Sequence, residues 1–147
     1  MSLRRTEKSI FKLVGLIALP IIVFCLMPTA CQALEISIDV SPNVLNIQSN
    51  STVLTVHTDI DFNLVNAPTV SIYVGADATD PVSINWWKED DRGNFVAKFS
   101  MSDIKAELGP EDYNQLTTFR MVGETTSGEG FSGQQDIMVT NRVSNKR

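Results

Sequence analysis

The sequence predicts an all-β fold, a β-sandwich of seven or eight strands carrying one short helical turn. Three observations lead there. Short runs alternate strictly between apolar and polar residues, as strands with one buried face do. Turn-forming residues interrupt those runs at the spacing usual for sandwiches. A single stretch, Ser102 to Leu108, has helical spacing instead.

The first element is a leader. Arg4, Arg5, Lys8 and Lys12 against Glu7 form a positive start, and an apolar stretch from Leu13 to Met27 follows, interrupted by Gly15 and Pro20. Small residues Thr29, Ala30, Cys31 and Ala33 come next. Basic, apolar and small in that order is the layout of a secretory signal. The apolar stretch is shorter than the roughly 18–20 residues of a comfortable membrane span. Cleavage after Ala33 fits the small-x-small rule best, with Ala30 second. This divides the chain into a signal peptide at 1–33, a β-sandwich domain at 34–140 and a frayed polar tail at 141–147. The expected location is periplasmic or secreted.

Both cysteines, Cys25 and Cys31, fall in the leader, so the body has neither disulfides nor thiol chemistry. Pro28-Thr29-Ala30-Cys31 matches a bacterial lipobox at the small residue before the cysteine and departs from it at the proline. The plainer reading makes Cys31 a small residue near the cut, and lipidation of Cys31 is the alternative. After cleavage the body meets no membrane unless Cys31 carries lipid. Arg4-Arg5 is followed by Thr6-Glu7-Lys8, which lacks the apolar residues of a twin-arginine signal.

The body opens on Leu34 to Val40, an alternating strand broken by Ser41-Pro42-Asn43, and Val44 to Ile47 continues in extended form. Thr52 to Ile60 is the second alternating strand, and Thr69 to Val74, after Pro68, the third. Ala76 to Pro81 is a polar loop. Ser83 to Glu89 then pairs with Asn94 to Met101 across Asp90-Asp91-Arg92-Gly93, where Gly93 supplies the positive φ of a tight turn. Phe95, Ala97, Phe99 and Met101 share the core face of that strand, with Val96, Lys98 and Ser100 opposite. Ser102 is the expected N-cap of the helical turn and Gly109-Pro110 its stop, with Ile104 and Leu108 facing the core. Leu116 to Glu124 and Phe131 to Thr140 close the fold as two strands.

The whole chain holds 12 basic and 17 acidic residues. Four basic residues and one acid belong to the leader, so the body is strongly acidic. Nucleic acid and anionic membranes are poor partners for such a surface. The sequon Asn50-Ser51-Thr52 matters only in a eukaryotic secretory route.

Val40-Ser41-Pro42-Asn43-Val44-Leu45-Asn46-Ile47 resembles the opening of exported bacterial and archaeal domains with an immunoglobulin-like β-sandwich, most of them uncharacterised. Phe95-Val96-Ala97-Lys98-Phe99, the helical turn after it, and the closing hairpin through Ser132-Gly133 and Asp136 to Val139 are similar to the later parts of that pattern. The resemblance spans most of the body and implies a fold and an exported setting. Members of the group often carry a calcium-loop-like stretch before the central strand. The matching Glu89-Asp90-Asp91-Arg92-Gly93-Asn94 lacks the Asp-x-Asp-x-Asp-Gly spacing that surrounds one ion.

Two candidate sites follow. Glu89, Asp90, Asp91 and Asn94 gather oxygens that a hard cation such as calcium wants, while turn chemistry accounts for the same residues without an ion. Trp86 and Trp87 are adjacent, so a strand points them to opposite faces. One is expected in the core and the other exposed, covered by a loop, or in an interface with a protein or glycan. His57 stands alone, with no nucleophile motif beside it and too few partners for zinc. The expected function is therefore an exported, non-catalytic module for binding or assembly in the envelope or outside the cell. A calcium-stabilised module and a small hydrolase are the alternatives.

Overall fold

Residues 33–75 and 77–142 are described by the computed structural model. The expected leader up to residue 32, with Cys25 and Cys31, lies outside that range, as do Ala76 of the polar loop and tail residues 143–147. Among the described residues no helix is long and apolar enough to cross a membrane.

Among the described residues ten strands form two sheets that do not close into a barrel. They are β1 Leu34–Glu35, β2 Ile38–Ser41, β3 Val44–Asn46, β4 Val53–Asp61, β5 Val65–Val74, β6 Val82–Ser83, β7 Trp86–Glu89, β8 Asn94–Ser100, β9 Gln115–Thr125 and β10 Gly130–Thr140. One sheet has the order β1-β10-β9-β5-β6, with β3 also on β10; the other has the order β2-β4-β8-β7. The expectation of seven or eight strands differs because two continuous-looking runs are divided. Leu34 to Val40 is divided between β1 and β2, and Ser83 to Glu89 lies partly in β6 and partly in β7.

The opening segment changes sheets twice. β1 runs parallel to β10, β2 runs antiparallel to β4 in the other sheet, and β3 returns to run parallel to β10. The Ser41–Pro42 peptide between β2 and β3 is cis. At the first crossing the Ile36 amide donates to Ser132 O at 2.9 Å, and the Val40 amide donates to Gln135 Oε1 at 2.6 Å. Gly133 makes this passage possible, because a Cβ there would lie 2.5 Å from Ile36 O and 2.8 Å from Ile38 Cγ2.

The core sits between the sheets. Leu54, Val56 and Ile60 from β4 and Phe95, Ala97 and Phe99 from β8 meet Val70, Ile72 and Val74 from β5 and Phe119, Met121, Phe131, Ile137 and Val139 from β9 and β10. Burial of such faces is the main stabilising term for a body with no cross-link. Phe95, Ala97, Phe99 and Met101 are all buried, as their alternation predicts. Val96 is also fully buried although it faces away from the core, in the row His57–Val96–Lys88 across three strands. Thr58 Oγ1 donates to Phe95 O at 2.6 Å where the β4–β8 register shifts between His57 and Asp61.

The helix α1 spans Met101–Ala106, one residue earlier than the sequence suggests, and Ser100 occupies its N-cap position. Ser102 is not the cap; its hydroxyl lies 2.8 Å from Ser100 Oγ and donates to Asp103 Oδ1. Ile104 and Leu108 are buried as expected. Asn141 and Arg142 are hydrogen-bonded to Asn46 and Gln48. Asn46 Nδ2 donates to Arg142 O at 2.9 Å, Arg142 N donates back to Asn46 Oδ1, and Gln48 Nε2 donates to Asn141 Oδ1.

Candidate binding groove beside Trp87

β7 is the outer strand of its sheet, so only β8 covers one of its edges. Trp86 pairs with Lys98 and Trp87 with Ala97, which sends the two indoles to opposite faces. Neither enters the core: Trp86 is 44% exposed and Trp87 40%. The expectation of one core tryptophan fails because β7 is the edge strand of its sheet, and the inward-facing Trp87 lines a groove open to solvent.

The two side chains have different surroundings. Lys98 Nζ stands 4.4 Å from the centre of the Trp86 ring, so an ammonium already occupies that face. Trp87 lines an open groove of about 360 Å³ with Phe62, Asn63, Val65, Asn66, Ala67, Pro68, Phe95 and Thr126. That volume lies in the range of roughly 300–1,000 Å³ typical of small-ligand clefts.

Two local irregularities open the groove. After β4 the chain makes a single 3₁₀ turn, Phe62–Leu64, whose N-cap Asp61 accepts from the Asn63 amide at 2.8 Å. This turn sets Phe62 against the buried Phe95, with ring centres 6.1 Å apart and planes 27° from parallel. Then β5 arches away from β9: Asn66 pairs with Glu124 but Ser71 with Val122, so Ala67 to Val70 face only Gly123. Thr69 bridges the break, its hydroxyl donating to Asn66 O at 2.7 Å and accepting from Glu124 N at 2.9 Å. β6 pairs with β5 at Ser71 and Ile72, and just beyond it the Ile84 amide donates to Val70 O at 3.2 Å. Such bulges redirect side chains at sheet edges.

The acidic turn is built differently. The Asp90 amide donates to Asn94 O and the Gly93 amide to Asp90 O, while Gly93 has φ +86°. Asp90 Oδ1 accepts from the amides of Arg92 at 2.8 Å and Asn94 at 2.9 Å, and Oδ2 faces Arg92 Nη2 at 3.5 Å. The Asn94 amide is the main cause that holds the Asp90 carboxyl below the usual carboxylate range; partial burial opposes it, and Arg92 adds to it. Glu89 and Asp91 are exposed. Among the described residues no group of three His, Cys, Asp or Glu side chains could hold a metal ion. The carboxylate of the candidate quartet with most protein contacts is thus engaged in forming the turn.

His57 lies on the outer face of its sheet, opposite Asp39 and Val96. It takes no part in the groove.

The sequence reading singled out Trp87 but missed Phe62, Asn63, Asn66, Pro68 and Thr126. One signal was present: Pro68 inside a strand run marks a bulge or an edge. Comparison with models of protein families, with curated proteins and with solved structures finds no match.

Proposed function

We propose that this chain is an exported, non-catalytic immunoglobulin-like β-sandwich that binds a partner of the envelope or extracellular space through the groove beside Trp87. The leader pattern supports export. The strand order supports the fold family: β2-β4-β8-β7 and β10-β9-β5-β6 follow the A-B-E-D and G-F-C-C′ orders of immunoglobulin sheets. A Tyr113 hydroxyl donating to Leu108 O, in the corner before β9, is similar in kind to the tyrosine corner of those domains.

The observation that carries the binding role is the half-exposed indole of Trp87 at a built concavity, free of the cation that covers Trp86. Large exposed aromatics are costly to solubility and concentrate at recognition surfaces. A hydrolase reading would need His57 or paired carboxylates gathered in a cleft, and His57 lies on the far face of its sheet.

The test compares W86A and W87A in the protein purified after full-length expression, each checked by thermal melting. Co-sedimentation with isolated envelope material from the producing cells should fall for W87A at a retained fold and persist for W86A. Equal sedimentation of W87A and wild type would remove the groove from the function.

A further inference from the structure

We infer that the groove beside Trp87 takes an uncharged saccharide, stacked on the indole and held at its hydroxyls by Asn63, Asn66 and Thr126. This deepens the binding role proposed above and rests on it. The chemistry of the lining is the argument. Its floor is aromatic and aliphatic, from Trp87, Phe62, Val65, Ala67 and Pro68, and its polar groups are two carboxamides and a hydroxyl. None of these side chains carries a charge, in a chain where 20% of residues do.

The polar groups are available. Asn63 spends one amide hydrogen on Asp61 Oδ1 at 3.2 Å and keeps its carbonyl oxygen. Asn66 contributes its backbone carbonyl to Thr69, and its carboxamide has no hydrogen-bond partner among the described residues. Thr126 is fixed through its amide, which donates to Leu64 O at 2.8 Å, leaving its hydroxyl free among those residues. A carboxamide offers both donors and acceptors, which suits neighbouring hydroxyls that do the same. The apolar C–H face of a pyranose ring matches the indole, and its rim of hydroxyls matches the amides.

Charge narrows the class. Asp61 adjoins Phe62, Glu89 follows Trp87 by two residues, and the nearby Arg92 is engaged by Asp90. On the Trp87 face of β7 an anionic sugar or an anionic lipid would meet Glu89, whereas the exposed Lys88 alternates to the opposite face. An extended peptide adding to β7 is disfavoured as well, because the strand has four residues and carries the exposed charges of Lys88 and Glu89 along its edge.

The experiment titrates the full-length-expressed protein with neutral hexasaccharides of glucose, xylose, mannose and N-acetylglucosamine, with hexagalacturonate and neutral and anionic vesicles as comparisons. Tryptophan fluorescence and calorimetry read the binding. At least one neutral hexasaccharide should bind, W87A should weaken it by about tenfold or more, N66A should weaken it severalfold, and W86A should leave it within about twofold. Each variant is melted first, and W87F keeps the test open if W87A unfolds, since a smaller ring retains part of the stacking. The saccharide proposal is overturned if no neutral hexasaccharide binds, if hexagalacturonate or vesicles bind better, or if W86A and W87A weaken binding equally. Should envelope binding still depend on Trp87 while no neutral saccharide binds or competes for it, the saccharide proposal fails and the binding role stands.

Discussion

Replacing Gly133 with alanine tests how the sandwich is closed at its N-terminal crossing. The added Cβ would sit 2.5 Å from Ile36 O, 2.8 Å from Ile38 Cγ2 and 3.0 Å from Ile36 Cγ1. The nearest atom is backbone, so no side-chain rotation relieves the contact. Moving the segment would strain the bonds from Ile36 N to Ser132 O and from Val40 N to Gln135 Oε1, and the Ser37–Asp59 pairing behind them. Overpacking costs about 1–3 kcal/mol, and the rigid neighbour places this site near the upper end. For a domain of this size about 3 kcal/mol corresponds to a fall of about 13 °C in Tm. Gly130→Ala is the matched comparison, because its nearest neighbour would be Ala33 Cβ at 4.0 Å. That variant should stay within about 1 kcal/mol of wild type. Circular dichroism melts of the three proteins give the answer. Equal Tm values for G133A and wild type would refute the close-approach argument.

Two further outcomes concern the acidic turn. The folded state holds the Asp90 carboxyl below its ordinary value, so its contribution is present above about pH 4 and is lost as pH falls through the folded pKa. Wild type should therefore lose stability from about pH 4 downward more steeply than D90N, which keeps an acceptor oxygen but no charge; parallel melting curves across that window would count against the turn assignment. Millimolar calcium should leave the Tm unchanged, since Asp90 is engaged by amides of its own turn; a rise in Tm with calcium that D91N abolishes would restore the metal reading.

Much of the fold was legible because a strand repeats its side-chain direction every two residues. Phe95, Ala97 and Phe99 on one face, the turn at Gly93, and the burial of Ile104 and Leu108 all follow from local periodicity and local backbone chemistry. The cap of α1 was read two residues late, because Ser100 and Ser102 are equally good local caps and only the end of β8 chooses between them. The break at Ser41-Pro42-Asn43 was legible, but the one between β1 and β2 was not. It depends on Gly133, a residue roughly a hundred positions away, admitting the chain across β10.

The candidate site shows the same division. The sequence by itself determined that Trp86 and Trp87 point to opposite faces of a strand, that the body lacks cysteine, and that Asp90 to Gly93 form a turn. Only the tertiary structure decided that β7 lies at the edge, so that both indoles reach solvent. It also decided that Lys98 covers one of them and that the arch of β5 opens a groove beneath the other. The physical reason is range. Alternation and turn preference act between neighbours in the chain, whereas exposure at an edge depends on which strands pair and where a distant strand ends.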